Sequence, residues 1–507
     1  MANQDQLNTA LQSYRNIDIK IEVLDYDMYV VDEISGLVES ANFSIDADSD
    51  IRRTCNVTMQ LRDDLSNDPL YSSAFWEVGN PYWFDKYLKI NLGIEDIVNG
   101  GWVWSNQGIY LINQPSVIYN ASENTLSFQA VDLMSKLTGM RSGAMTGVES
   151  TIPVGTNIKS AIIALLEEQG FNNYVLFDPP QATTPADINV SAGGTTYELL
   201  SALRDINQGW EMFFDVDGVF YFQEIPSEDT LKGVTINPFV DNETLEKVAI
   251  GYQLDTSFED VKNYIEVYGD YIEANITGTL LSTNQSVEFD VSSMQTGDVL
   301  IGGFTVGDLT LPPEKYNRRN SWGELRPFYV RISFGGSSKI KEVPITTENW
   351  DYRVRITKNS STWGDFTIDF LGYAQPFGIA WEDNPASPYY VGNKVSGSDE
   401  IISPSDAVVG LPVFNRQVRD GGSSGDYANL YTNEMCMACA KYELYKKARR
   451  HDSIQITLVP LYWLEANQLI EYRLPNEKQT SYWLIKSINT DFSVAGTQTI
   501  TATRQYI

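Results

Sequence analysis

Residues 195–225 read TTYELLSALRDINQGWEMFFDVDGVFYFQEI, and the change of hydrophobic period inside this stretch decides the fold class. Thr195-x-x-Glu198 is a capping box, in which the threonine side chain and the glutamate satisfy backbone N–H groups at a helix start. Leu199, Leu200, Leu203 and Ile206 then share one helical face, and Gly209 closes it. The next residues form a hairpin whose turn is Asp217-Gly218, a pair that tolerates positive φ. Just upstream, Ile158, Ala161, Ile162, Leu165 and Leu166 make a second apolar stripe at helical spacing, started near Thr156 or Asn157 and stopped by Gly170. Two helices and a hairpin predict a compact α/β unit over 146–235, ended by Pro226 and the polar run after it.

Outward from this unit the period is two. Ile17, Ile19, Ile21 and Val23 alternate with Asp18, Lys20 and Glu22, and Cys55, Val57, Met59 and Leu61 behave alike. So do Phe328, Val330, Ile332 and Phe334; then Phe366, Ile368 and Phe370; and finally Ile454, Ile456 and Leu458. Alternation puts one face in a core and the other in water, as antiparallel sheets and barrels require. Asn99-Gly100-Gly101 reads as a further hairpin turn, and 29 tyrosines suit the pleated surface of strands. A third helix is expected from about Thr432 to Arg450, with Lys446, Lys447, Arg449 and Arg450 in its last turns. Residues 384–398 and 421–425 read as loops. The expected class is mainly β (α+β), in several domains, because 507 residues exceed what one core usually supports.

The chain has 36 Lys and Arg against 67 Asp and Glu, a formal charge of −31. Such a field repels phosphate backbones and anionic membrane surfaces at long range. It suits a surface past which DNA slides without sticking. No apolar run reaches membrane-spanning length and the first residues are polar, so expression and assembly in the cytoplasm are expected. Three cysteines, Cys55, Cys436 and Cys439, make no disulfide framework.

Candidate chemistry is sparse. His451, the one histidine, follows a basic helix end and reads as a surface cation complementing the helix dipole; no Gly-x-Ser-x-Gly elbow accompanies it. The run 446–450 could meet nucleic acid or an acidic partner, but helix-end capping is the favoured reading. Cys436 and Cys439, at i and i+3 on a helix, read as small core residues rather than zinc ligands or a redox pair. Asp46-x-Asp48-x-Asp50 opens like a calcium loop, yet Ile51 and Val57 stand where glycine and a bidentate glutamate are needed. Asp215-x-Asp217-Gly218 reads as a hairpin turn. Pro81–Phe84 and Tyr389-Tyr390 could stack on sugars, although barrel ends or subunit interfaces are the commoner home for such residues. No catalytic, cofactor-binding or metal residue is assigned, and no cofactor is expected.

The order of these features resembles the tail hub (baseplate hub) proteins of tailed bacteriophages and related tail-like particles. Phe43–Asp63 (FSIDADSDIRRTCNVTMQLRD) is similar to the family's opening β-domain, and IKSAIIALLEEQG with YELLSALRDINQGWEMFFDVDGVFYFQEI to its two-helix-plus-hairpin domain. Asn263–Asp270 (NYIEVYGD) resembles the strand that opens its second barrel. Asn384–Gly392 (NPASPYYVG), Lys441–Asn467 (KYELYKKARRHDSIQITLVPLYWLEAN) and the stretch 480–506 resemble the return into it. The resemblance implies two tail-tube-like β-barrel domains, at 1–145 and at 236–275 with 426–507, a small α/β domain at 146–235, and an inserted β-rich domain at 276–425. It also implies a structural, non-enzymatic homotrimer that adapts a six-fold tail tube to a three-fold tip and lines the channel for DNA passage. The implied partners are the tail tube or distal tail protein, the tape measure protein, and tip, spike or fibre proteins. Neither sequence-specific nucleic-acid binding nor membrane anchoring is implied. The place would be the virion's tail tip or baseplate, assembled in the host bacterial cytoplasm, and part of the acidic excess is expected to face the channel. The insertion is longer than in simpler hubs, and with no fused module after residue 507, lytic or receptor-binding activity is expected on other chains. Carbohydrate or receptor binding is the alternative, and a peptidoglycan or glycoside hydrolase a more distant one.

Overall fold

In the computed structural model the residues described are 4–12, 15–34, 37–60, 86–120, 123–145, 149–185, 187–231, 233–255, 261–268, 278–281, 286–290, 296, 299–303, 328–334, 337–343, 353–359, 366–372, 377–382, 384, 416–420, 430, 433–448, 453–475 and 477–506. They fall into two compact units, one of residues 1–260 with 449–507 and one of residues 261–448.

The first unit opens with a short helix α1 (Gln4–Ala10). Seven strands follow: β1 (Ile17–Leu24), β2 (Val30–Ile34), β3 (Leu37–Asp46), β4 (Arg53–Gln60), β5 (Tyr87–Glu95), β6 (Trp102–Asn120) and β7 (Glu123–Asp132). The α/β segment comprises β8 (Ser150–Ile152), α2 (Ile158–Glu168), β9 (Tyr174–Leu176), β10 (Ile188–Val190), α3 (Thr196–Asp205), β11 (Trp210–Phe214) and β12 (Phe220–Glu224). Two short helices, α4 (Glu228–Leu231) and α5 (Asn242–Val248), lead to β13 (Ala249–Asp255). After the second unit the chain returns as β24 (Ser453–Leu458), β25 (Leu469–Tyr472), β26 (Ser481–Phe492) and β27 (Gln498–Gln505).

The intervening strands are β14 (Tyr264–Tyr268), β15 (Gly278–Leu281), β16 (Ser286–Asp290), β17 (Val299–Gly303), β18 (Phe328–Phe334), β19 (Ser337–Val343), β20 (Arg353–Lys358), β21 (Phe366–Gly372), β22 (Phe377–Trp381) and β23 (Arg416–Asp420). They form three small sheets, and the helix α6 (Asn433–Ala448) packs on β14 and β22. A Cβ placed on Gly378 of β22 would lie 2.2 Å from the Met437 backbone nitrogen, so only glycine lets this helix backbone approach so closely. β14, the NYIEVYGD strand, pairs with β22 and β23.

The helical and turn signals of the sequence appear where local chemistry puts them. Asn157 caps α2 through its side chain, which accepts from Ser160 N, and Thr195 caps α3 by accepting from Glu198 N. The turns between β5 and β6 and between β11 and β12 place Gly100, Gly101 and Gly218 at positive φ. The stripes Ile158–Leu166 and Leu199–Leu203 are buried, and an aromatic cluster of Phe171, Phe214 and Phe220 lies within the same α/β segment. Three short helices, α1, α4 and α5, escaped the periodicity. α5 is capped by Asp241, which accepts from Thr244 N, but at seven residues it is too short to show an amphipathic stripe.

Where two tail-tube-like β-barrel domains are expected, the strands of both segments share a single sheet. β1 to β7, β13 and β24 to β27 form one 12-stranded sheet in the order β13-β24-β27-β26-β3-β4-β7-β6-β5-β1-β2, with β25 paired to β26 off this path. The reason is β26, which is 12 residues long. β27 pairs along most of one side, while β25 and then β3 share the other, so the ladder runs from C-terminal strands straight into N-terminal ones. Among the described residues the sheet does not close. It carries two cores on its apolar face, one around Ile21, Phe43, Val57, Ile90 and Phe128 and one around Ile456, Leu458, Trp483, Ile488 and Ile500.

Candidate assembly interface

Three features of the first unit bear on function: an open sheet edge, an uncharged sheet face and a buried ionic junction. β13 is the edge strand at one end of the large sheet. Tyr252 and Leu254 lie opposite Ile456 and Ile454, so the apolar face of the second core continues onto this strand. There it is uncovered: Ile250, Tyr252 and Leu254 are 61%, 38% and 44% exposed. At the far end β2 exposes Val30 and Val31 beside Tyr29. An edge strand offers unpaired N–H and C=O groups, and an apolar one invites another strand.

On the face opposite the cores, six adjacent strands line up their outward positions. One row runs Thr457, Thr499, Asn489, Ser44 and Thr54. The next runs Asp491, Asn42, Asn56 and Gln129, and others run Gln455, Thr501, Ser487 and Asp46, or Ser40, Thr58 and Ser127. Thr58 and Ser127 join hydroxyls at 3.0 Å. The acids in these rows are Asp46 and Asp491, with Glu39 at a bulge of β3. Each cation of the six strands is held elsewhere. Arg53 is buried against Glu465, Lys486 sits at the β26 bulge and donates to Asn467 Oδ1 at 3.3 Å, and Arg504 pairs with Glu477 at 2.8 Å. Beyond β6 the same sheet is charged, with Lys20 paired to Glu22 and Lys89 to Asp217.

The junction gathers residues far apart in sequence. Arg52, 5% exposed, donates from Nη1 to Glu211 Oε2 at 2.8 Å and from Nη2 to the Ala466 carbonyl at 2.8 Å, and its guanidinium lies 4.0 Å from the centre of the Phe213 ring. Asn467 Nδ2 also donates to Glu211 Oε2, at 2.6 Å, and Gln223 Nε2 to Glu211 Oε1 at 2.9 Å. Asn467 takes positive φ, a conformation its short polar side chain tolerates. The α/β hairpin, the turn after β3 and the loop before β25 are thereby tied together. The only sequence signal was Arg52-Arg53 opening a strand in an acidic chain, with nothing to name its partners.

Beside the junction Asp132 is buried. Its two oxygens accept from Arg53 N and Met134 N, each at 2.9 Å. Burial pushes this carboxyl up to about 6, against the pull of those two bonds. A carboxyl raised in the folded state favours folding fully below its unfolded pKa, and that contribution is lost as pH rises through the folded one. Stability is therefore expected to fall by up to about 3 kcal/mol between pH 4 and 7 from this group alone. Asp132→Asn should flatten that segment of a urea-denaturation series; an unchanged slope would remove Asp132 as its source.

The other candidates resolve simply. Cys55 is buried in β4, and Cys436 and Cys439 are fully buried on α6 in the other unit. Asp46 Oδ1 accepts from Asp48 N at 3.0 Å and Asp50 Oδ1 from the Tyr197 hydroxyl at 2.7 Å, which makes a turn between β3 and β4. Asp215 Oδ1 accepts from Asp217 N and Val219 N, which shapes its hairpin. Among the described residues no group of three or more His, Cys, Asp or Glu could hold a metal ion, and no helix is long and apolar enough to cross a membrane. His451, Arg449, Arg450, Pro81–Phe84 and Tyr389-Tyr390 lie outside the described residues.

Residues 413–507 match the family described as "Domain of unknown function (DUF5048)". No curated protein matches in sequence. Among solved structures, the chain is similar to the tail protein from Neisseria meningitidis MC58, at 9% identity and TM-score 0.46, covering 97% of this chain and 96% of that one. It is similar to the prophage MuSo2 43 kDa tail protein from Shewanella oneidensis, at 9% identity and TM-score 0.47, covering 96% and 98%. A third is the prophage tail protein gp18 from Listeria monocytogenes EGD-e, at 8% identity and TM-score 0.39, covering 96% and 94%.

Proposed function

We propose that the chain is a structural tail hub of a bacteriophage or phage-tail-like particle, with three copies forming a ring that adapts the tail tube to the tip and surrounds the DNA path. The observation that carries this reading is the open sheet with an uncovered apolar strand, β13, at one end and the exposed β2 at the other. A closed cyclic ring needs two different faces on each copy, and strand-to-strand contact between these ends supplies them. Joined sheets would complete the barrel-like lining that one chain leaves open. Residues 276–425 are then an insertion in the second hub domain, and the expected partners are tail tube, tape measure and tip proteins of the same particle.

The charge of −31 per chain makes copies repel, so apolar and backbone contacts must hold the ring. Salt screens surface charges over about 8–10 Å at physiological strength. Sedimentation of the full chain across a salt series should show a trimer that strengthens as salt rises from low values. The double variant Tyr252→Lys, Leu254→Lys should sediment as monomer while keeping its thermal stability, because both side chains are exposed. A native monomer at every salt, or a trimer that salt dissolves, would overturn the reading.

One feature favours the carbohydrate-binding alternative. Trp102 and Trp104, both exposed, stack with ring centres 5.7 Å apart beside Gly93. Glycan-array binding lost on Trp104→Ala would support it.

A further inference from the structure

We infer that the turn between β1 and β2 is a latch, closed on the α/β segment by an aromatic cage around Lys136, and that this latch sets the position of the β2 edge. Only its role at that edge rests on the ring proposed above. Lys136 ends a single turn of 3-10 helix, Leu133–Lys136, that follows β7. Its Nζ lies 4.9, 5.3 and 5.0 Å from the centres of the Tyr26, Tyr87 and Phe171 rings, and it donates to the Tyr87 hydroxyl at 2.7 Å. Those rings come from the β1–β2 turn, the start of β5 and the chain just after α2. Phe171 in turn packs on Phe214, so the cage reaches into the α/β core. In a chain with 67 acids, the polar partner of this half-buried ammonium is a tyrosine hydroxyl and not a carboxylate. Burial holds its pKa below the ordinary lysine value, and the ring faces offset part of the lost hydration.

Tyr26 is the ring through which the cage opens. It is 60% exposed, whereas Tyr87 and Phe171 are buried. Its hydroxyl rests on Gly170, where an added Cβ would lie 2.3 Å from that oxygen. Gly170 follows α2 at positive φ, so the seat is a helix end that carries no side chain. The turn that bears Tyr26 is itself under strain. Met28 takes φ 65°, a left-handed conformation that costs energy for a residue with a Cβ. Asp25 braces it: Oδ1 accepts from Asp27 N at 3.0 Å and from Tyr29 N at 2.9 Å. Such a backbone persists where its surroundings over-determine it, and the caged cation and the Gly170 seat do so here. The strand that leaves this turn is β2, the end strand of the large sheet, with Val30 and Val31 exposed. Fixing the turn at its tip therefore fixes the edge that a second copy would meet.

The test uses the full chain, acylated with an amine-reactive ester and read by peptide mass, with sedimentation in parallel. Native Lys136 should be protected, while exposed Lys247 reacts freely. Tyr26→Ala should speed Lys136 acylation roughly tenfold, the factor expected for one desolvated cation–π contact, and should weaken self-association. Tyr26→Phe keeps the ring and should behave as native. Gly170→Ala should open the latch from the other side, because its methyl takes the place of the Tyr26 hydroxyl. Adding Tyr26→Phe to Gly170→Ala removes that oxygen and should restore protection. The strain of alanine at positive φ is common to both Gly170 variants and drops out of their comparison. Unchanged protection of Lys136 in Tyr26→Ala overturns the latch, and failure of Tyr26→Phe to rescue Gly170→Ala overturns the seat. A variant that exposes Lys136 yet sediments as the native protein does overturns the role at the β2 edge. A protein that is monomeric at every salt removes the ring and that role with it, while the acylation series still decides whether the latch exists.

Discussion

Glu211→Leu is expected to lower the stability of the first unit by about 3–5 kcal/mol, because it strands the Arg52 guanidinium in a buried site. Arg52 would keep only the Ala466 carbonyl and the Phe213 ring, neither of which neutralises its charge. Asn467 Nδ2 and Gln223 Nε2 would lose their acceptor as well. The companion Arg52→Met, Glu211→Leu removes both charges together and should recover much of the loss, since a well-packed apolar pair often replaces a buried ion pair at little cost. Urea denaturation of the native protein, the single variants Glu211→Leu and Arg52→Met, and the double variant gives the coupling directly. If the two single variants and the double differ only additively, the pair is not coupled and the junction does not hold the segments together.

Leu203→Asp should be more damaging locally. Leu203 is fully buried on the inner face of α3, within the two-helix segment, and packing there leaves a carboxylate no partner. Burying an unpaired charge costs several kcal/mol or forces the segment open. Proteolysis should then cut within 146–235 while the strands of the large sheet stay protected. Leu203→Ala, a cavity without a charge, should cost about 2–5 kcal/mol and leave the segment folded under native conditions. Equal melting of native and Leu203→Asp proteins would remove that helix face from the core.

The two sites differ in how far they could be read in advance. Leu203 belongs to a stripe whose spacing and capping residue lie within a dozen positions, so its burial was legible in the chain itself. Glu211 was not legible: its alternation marks a strand, but its partners Arg52 and Asn467 lie 159 and 256 positions away. Acidic residues number 67, and no local pattern distinguishes the one that is buried.

By itself the sequence determined the mainly β class, the α2 and α3 helices with their caps, the glycine-bearing hairpin turns and the absence of a recognisable catalytic motif. These depend on periods of two and 3.6 and on φ preferences, which act between neighbours. Only the tertiary structure decided that the N- and C-terminal strands share one sheet, through pairing of β26 with β3 across more than 400 residues. It alone decided that β13 is left as an uncovered edge and that the outward rows are free of cations. Pairing partners and register are chosen by burial over the whole sheet. An alternating strand specifies which of its residues face inward, and leaves open which strand it will lie beside.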